Sequence, residues 1–310
     1  MPADVLTFGE TMASIRATAP VDLGGTVSLS IAGAESNVAI GLARLGHRSN
    51  WAGIVGDDRF GQLITRTLRA EGVDVSNVGT SAAQTGIIVF EERLAGVTAV
   101  DYYRTASAGS TLSDEHVSAA MASGPPILHV TGITAALGPG PLSAIQRAMH
   151  LARASGALVC LDINYRARLW TRDAARSALA PLAAMAHIVI ASDDELDLAV
   201  DSGDPATTLL ALGVRDVVIK RGADGATVVT AEASSALPAR AVTAVDTIGA
   251  GDAFVAGYLS GELDELDAAG RLDRAIAVGA FAVATHGDWE GLPRRSELAL
   301  LASEPGSAVR

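Results

Sequence analysis

The sequence predicts an α/β protein: a mainly parallel central sheet with helices on both faces, plus a small β-sheet lid. Three observations carry this. Apolar runs alternate with amphipathic helical segments along most of the 310 residues. Several runs are continuous Val, Ile and Leu stretches, as strands buried on both faces must be. Two stretches, about 10–32 and 84–106, break the alternation and read as half-exposed strands.

The first strand, Val5-Leu6-Thr7-Phe8, stops at Gly9. Val38, Ala39, Leu42 and Leu45 then recur at helical spacing between Ser36 and Leu45, with Gly46 as the stop. A strand from Trp51 to Val55 precedes an amphipathic helix from Gly61 to Glu71. Strands at Ile127–Val130, Leu158–Asp162, His187–Ala191 and Asp216–Lys220 alternate with helices at Pro141–Ser155, Arg172–Ala184 and Asp193–Val200. Two Ala/Gly-rich helices follow Ala250 and Leu272. In the irregular stretches, Val27, Leu29 and Ile31 alternate with serines. Gly86–Glu91 and Thr98–Arg104 are strand-like pieces separated by a loop around Ala95-Gly96. These strands fit a lid over the main domain or an antiparallel edge extension. Ser234-Ser235 reads as a surface loop.

Composition narrows the function classes. Hydrophobic residues make up 49% and charged ones 19%, which is ordinary globular usage. A formal net charge of −12 disfavours a non-specific nucleic-acid binder, which needs a basic footprint. The single cysteine, Cys160, excludes an internal disulfide and lies in an apolar run, as a packing residue does. No secretory signal and no apolar run long enough to span a bilayer is present, so a soluble, cytoplasmic protein is expected. The six histidines are scattered, which argues against a structural transition-metal site. Lys220 is the only lysine, and it does not sit in Gly-Lys-Ser/Thr, so P-loop chemistry is excluded.

The segment Asp246-Thr247-Ile248-Gly249-Ala250-Gly251-Asp252-Ala253-Phe254 runs through a glycine turn directly into an apolar helix. Unpaired N–H groups and the positive dipole end at such a helix start make an anion hole. Glycines at 249 and 251 permit backbone conformations and approaches that a side chain would block. Asp252 at the mouth is a helix cap or a general base. A dinucleotide fingerprint does not fit, because Phe254 stands where its third glycine belongs.

This nonapeptide is similar to the C-terminal signature of the ribokinase-like (PfkB-type) carbohydrate kinases. Two further segments match that family: Gly33-Ala34-Glu35-Ser36-Asn37-Val38-Ala39, and Gly53-Ile54-Val55-Gly56-Asp57-Asp58 with Arg59-Phe60-Gly61. The resemblance runs from about Val5 to Pro293 and implies one ribokinase-like kinase domain over 1–310. It implies Asp252 as catalytic base, Gly249, Ala250 and Gly251 as the anion hole, and ATP with Mg2+ as cofactors. It places Gly33 and Asn37 against the sugar. Asn164, Ser192, Lys220, Gly222 and Gly225 fall around the nucleotide. Glu195 acts on Mg2+ through water. Serine at 192 replaces the family's usual asparagine, and Ala32 replaces the first glycine of a usual Gly-Gly pair, where its methyl could crowd the substrate loop.

Other segments resemble the branch of the family that phosphorylates 2-keto-3-deoxygluconate: Gly9-Glu10-Thr11-Met12, Tyr102-Tyr103-Arg104, Asp162-Ile163-Asn164-Tyr165-Arg166 and Gly287-Asp288-Trp289. A sugar acid carries a carboxylate, which Arg104 with flanking tyrosine hydroxyls such as Tyr102 can bind. The bland reading of Arg104 is a solvated strand-end charge. Arg166 ends an apolar strand, where α/β sheets bind ligands, and the resemblance puts it near the phosphoryl group. Asp288 is a binder of a substrate hydroxyl or a simple turn residue. The rivals are a fructokinase, a kinase of another sugar acid, and a non-catalytic sensor on the same fold. Apolar positions on the lid strands suggest a homodimer in which lids pair.

Overall fold

A computed structural model describes residues 3–94 and 97–302. The strands are β1 (Val5–Phe8), β2 (Met12–Ala17), β3 (Val27–Ala32), β4 (Ser49–Ala52), β5 (Ile54–Gly56), β6 (Gly79–Ser81) and β7 (Ile87–Leu94). They continue with β8 (Val97–Tyr103), β9 (Ile127–Thr131), β10 (Leu158–Asp162), β11 (Ile188–Ser192), β12 (Asp216–Lys220), β13 (Ala226–Val229) and β14 (Ser234–Leu237). The helices are α1 (Ala34–Arg44), α2 (Arg59–Ala70), α3 (Asp114–Met121), α4 (Gly132–Ala135) and α5 (Pro139–Ser155). Then come α6 (Arg172–Ala183), α7 (Pro205–Ala211), α8 (Ala250–Leu263) and α9 (Ala268–Val283).

The main sheet has eight strands in the order β14-β13-β12-β11-β10-β9-β1-β4. The pairings from β4 to β12 are parallel, and the two at the β13–β14 edge are antiparallel. The apolar runs behave as doubly buried strands should. Val159 and Leu161 of β10 enter one core with Leu128 and Val130 of β9 and with Ala144, Ile145 and Ala148 of α5. Cys160 points the other way, into a second core with Val38 of α1 and Val255, Tyr258 and Leu259 of α8. Cys160 is fully buried and burial pushes its thiol pKa up, so it packs rather than reacts. Helix ends follow local chemistry: Asp58 accepts the Gly61 N–H at the start of α2, and left-handed Gly156 closes α5.

A separate four-stranded sheet in the order β3-β2-β7-β8, the one expected as a lid, has its own small core of Met12, Ala32, Ile88 and Phe90. The loop expected around Ala95-Gly96 lies outside the described residues. On β3, Val27 and Leu29 are both about half exposed whereas Ile31 is fully buried, so the alternating face is covered only at the C-terminal end of the strand.

The structure corrects four expectations. The strand read from Trp51 to Val55 is two strands: β4 joins the main sheet, whereas β5 pairs only with β6. The break falls at Gly53, where a Cβ would come 2.5 Å from the Gly9 carbonyl oxygen. The helix read at Asp193–Val200 is a single 3-10 turn at Leu196–Ala199, and the true helix follows at α7, started by Asp204 and Pro205. Ser234-Ser235 is not a loop but the start of β14. A tight turn, with the Thr230 N–H on the Ala233 carbonyl at 2.9 Å, delivers it to the β13 ladder despite weak strand propensity. The last long helix begins at Ala268 rather than near Leu272, because Asp267 accepts the Gly270 N–H at 2.7 Å.

Candidate active site

A cavity of about 930 Å³ opens at the C-terminal ends of β10, β11 and β12 and beneath the lid. Every site residue singled out from the sequence lines it. The main sheet, the lid, α1, α8 and the turn at Asp288 each contribute, so residues more than 200 positions apart meet in one place.

At the base stands the first turn of α8. Gly249 is its N-cap in a left-handed conformation, φ +74°, and a Cβ there would lie 2.8 Å from the Asp288 carbonyl carbon. Gly251 has room: a Cβ would meet nothing nearer than Lys220 Nζ, at 3.6 Å. Asp252 sits in that first turn but does not cap it. Its Oδ2 accepts Asn37 Nδ2 at 2.8 Å, and the same nitrogen donates to Asp288 Oδ1 at 2.9 Å. Both carboxyl groups are therefore gathered by one amide. Burial raises the Asp252 pKa, opposed by the Asn37 hydrogen bond. Burial and the neighbouring Asp252 push Asp288 up to about 8. Asp288 is thus no simple turn residue.

Toward β12, Lys220 Nζ pairs with both Asp162 oxygens, at 3.0 and 3.1 Å, across the end of β11. Asp162 is nearly fully buried and was not foreseen; its one sequence signal is an acid ending an apolar strand. Asn164 follows it with φ +40°, a left-handed conformation that asparagine tolerates better than most residues. Glu195 is buried, its Oε2 accepting the Ser192 N–H at 3.2 Å, and burial together with Asp162 raises its pKa. Arg166 Nη1 lies 3.9 Å from Glu195 Oε1, with its side chain partly in the open. Gly222 and Gly225 take φ +54° and +91° around the β12–β13 turn, and a Cβ on Gly225 would fall 2.7 Å from the Ala239 nitrogen. Ile276, Ala280 and Val283 of α9 supply an apolar wall on this side, which the helical pattern alone does not distinguish from helix core.

On the lid side, Tyr102 and Arg104 line the cavity with the Arg104 guanidinium 5.6 Å from the Tyr102 ring centroid. Arg104 is not a solvated strand end. Its Nε donates to Glu10 Oε2 at 2.8 Å, and Nη2 contacts the same oxygen. Glu10, only 2% exposed, also accepts the Ser107 hydroxyl on Oε1. Gly9-Glu10-Thr11-Met12 belongs to the sequence resemblance, which assigns no role to Glu10. Gly33 is required where it stands, since a Cβ would come 2.6 Å from the Glu10 carbonyl oxygen. Ala32 packs with Met12, Ile88 and Phe90 and also lines the cavity beside Gly33.

Among the described residues no cluster of three or more His, Cys, Asp or Glu could cage a metal. No helix among them is long and apolar enough to cross a membrane.

Known proteins resemble this chain over most of its length. Residues 2–295 match the pfkB family of carbohydrate kinases. The chain is 38% identical to a 2-dehydro-3-deoxygluconokinase of Bacillus subtilis over 96% of this chain and 95% of the other. It is 34% identical to a fructokinase of Klebsiella pneumoniae, covering 86% of this chain and 90% of that one. A solved structure of a candidate ribokinase II from E. coli, in complex with ATP and Mg2+, superposes with a TM-score of 0.89 at 26% identity, covering 97% of this chain and 99% of that one.

Proposed function

The chain belongs to the pfkB family of carbohydrate kinases, and from that premise we propose that it moves the γ-phosphoryl group of ATP onto a terminal hydroxyl of 2-keto-3-deoxygluconate, the acid that its B. subtilis relative is named for. The single domain spans 1–310, with the lid drawn from 10–32 and 84–106. The observation that carries the reading is the pairing of two devices in one cavity: the α8 N-terminus with Asp252 at its mouth, and Arg104 with Tyr102 on the lid above it.

Asp252 takes the proton from the acceptor hydroxyl as phosphorus–oxygen bond formation proceeds. Asn37 holds that carboxylate in place. Burial and the nearby Asp252 favour the neutral form of Asp288, which would donate to an acceptor hydroxyl while Asn37 holds Asp252 through a hydrogen bond that favours its charged form. The N–H groups of Gly249, Ala250 and Gly251 stabilise charge on the transferring phosphoryl group. Arg166 and Lys220 face the phosphates, with Asp162 fixing Lys220. Asn164, Ser192, Gly222 and Gly225 border the nucleotide, whose base packs on Ile276, Ala280 and Val283.

The residues present fit Mg2+ held mostly by phosphate oxygens and water: one buried carboxylate, Glu195, stands beside Asp162 without a protein cage. When bound, the ion would supply positive charge that offsets the charge of the phosphates during transfer. We assign the enzyme to the cytoplasm. Val27, Leu29 and Tyr103 are exposed apolar positions on the lid, and we assign them to a homodimer in which lids pair; light scattering of Leu29→Asp against the native protein tests this.

A fructokinase is the second reading, favoured by Glu10, which neutralises Arg104 and so lessens the need for an acidic acceptor. The deciding experiment is kcat/KM with ATP and Mg2+ on 2-keto-3-deoxygluconate, 2-keto-3-deoxygalactonate, fructose and ribose. Preference for a neutral sugar, or full activity on the acid in Arg104→Ala, refutes the acid-acceptor assignment.

A further inference from the structure

We infer that Glu10 is a specificity-determining residue, an internal counter-ion that competes with the acceptor for Arg104 and so sets how strongly the site favours an acidic over a neutral sugar. The inference rests on the acceptor reading given above, because it takes Arg104 as the group that meets the acceptor.

Glu10 follows β1 and precedes β2, at the foot of the lid. Its carboxylate takes Arg104 Nε at 2.8 Å, contacts Nη2, and accepts the Ser107 hydroxyl. Three glycines make room for it. A Cβ on Gly86 would lie 2.8 Å from Glu10 Oε1, one on Gly109 2.7 Å from the Glu10 Cβ, and one on Gly33 2.6 Å from the Glu10 carbonyl oxygen. Gly86 and Gly109, far from Glu10 in the chain, thus make room for its side chain, and Gly33 for its backbone. The pair itself is buried, with side-chain exposures of 10% for Arg104 and 1% for Glu10.

The consequence is electrostatic. A buried guanidinium without a partner would be costly, and Glu10 removes that cost before any ligand arrives. Only Nε of Arg104 makes a hydrogen bond among the described residues, and Nη2, though within ion-pair reach of Glu10, makes none, so the guanidinium keeps donors for an acceptor oxygen. A carboxylate arriving there meets a guanidinium whose charge is already balanced, with the Glu10 charge close behind it. The attraction that distinguishes a carboxylate from a hydroxyl is therefore reduced by the repulsion from Glu10. A neutral sugar feels neither effect. Removing the Glu10 charge while keeping its shape should widen the gap between the two acceptor classes.

The test is the ratio of kcat/KM for 2-keto-3-deoxygluconate to that for fructose in four proteins, with melting temperatures recorded alongside. Glu10→Gln keeps the size and one acceptor and loses the charge; its ratio should rise roughly tenfold, the order expected for removing a like charge at contact range in a partly screened site. Glu10→Asp keeps the charge but draws it back from Arg104, and its ratio should rise less. The double variant Glu10→Gln with Arg104→Met should bring the ratio to the native value or below, since the effect acts through Arg104. An unchanged or lowered ratio in Glu10→Gln overturns the inference, as does a raised ratio that survives the loss of Arg104. If Glu10→Gln does not fold, an unchanged ratio in Glu10→Asp overturns it instead. The acceptor assignment is judged separately, by which sugar the native enzyme prefers; the change of ratio between variants is readable whichever sugar that is.

Discussion

Replacing Gly249 with alanine puts a methyl carbon where the backbone leaves no room for one. The residue holds φ +74°, and its Cβ would fall 2.8 Å from the Asp288 carbonyl carbon and closer still to its oxygen. The left-handed conformation alone costs an alanine about 1–2 kcal/mol. The contact adds to this, because the neighbouring atoms are backbone and cannot rotate away; ordinary contact begins at 3.4 Å, so the turn must open. A total near 3 kcal/mol should lower the melting temperature by at least about 5 °C. The same opening moves the α8 amides against Asp288 by about 1 Å, enough to reduce kcat on the order of a hundredfold. Gly251 is the internal control. It carries no positive φ, and its Cβ would meet only Lys220 Nζ, at 3.6 Å. Gly251→Ala should therefore melt within about 1 °C of the native protein. Its methyl nonetheless faces the phosphoryl position, so activity should fall without loss of stability. Differential scanning fluorimetry and a coupled ADP-release assay on both variants give the comparison. Equal stability losses at the two glycines, or an active and stable Gly249→Ala, would refute the reasoning.

Three more outcomes are expected. Asp252→Asn retains the Asn37 contact but no base, so kcat should drop roughly 10²- to 10⁴-fold with little change in acceptor affinity by calorimetry; near-native turnover sinks the proposed mechanism. Asp288 has a folded pKa of about 8, raised above its ordinary value, so the folded state holds a proton that the unfolded chain releases. That stabilising contribution is present at low pH and is lost as pH rises from about 4 toward 8, at up to about 1.4 kcal/mol per pH unit. Asp288→Asn should thus gain on the native protein in melting temperature between pH 5 and 8, and a pH-independent difference would contradict the assignment. Lys220→Met removes the partner of buried Asp162, and KM for ATP should rise about tenfold or more while KM for the acceptor stays near native; parallel rises in both would place Lys220 elsewhere.

Periodicity and composition carry what is repeated along the chain, and such features were legible from residues alone. The run Leu158 to Asp162 is apolar at every position but the last, and only a strand with helices on both faces can bury it so. The glycine turn before α8 was legible for the same reason: its signal is local, contained in nine adjacent residues. Edges and breaks were less so. Gly53 splits a strand because of Trp51 and Gly9, whereas Ser234 joins one because β13 offers its ladder.

Charge partnership was the part that sequence could not supply. Nothing near Arg104 in the chain announces Glu10, 94 positions away, and nothing near Lys220 announces Asp162. Whether Asp252 caps a helix or meets a substrate depends on Asn37, which reaches it from 215 residues away and ties it to Asp288. The sequence by itself thus determined the layered α/β architecture and the glycine turn at the start of α8, because periodic burial and backbone freedom are properties of neighbouring residues. Only the tertiary structure decided which charges neutralise one another and which carboxyl groups share a hydrogen bond, because those depend on distance across a packed interior where the dielectric is low.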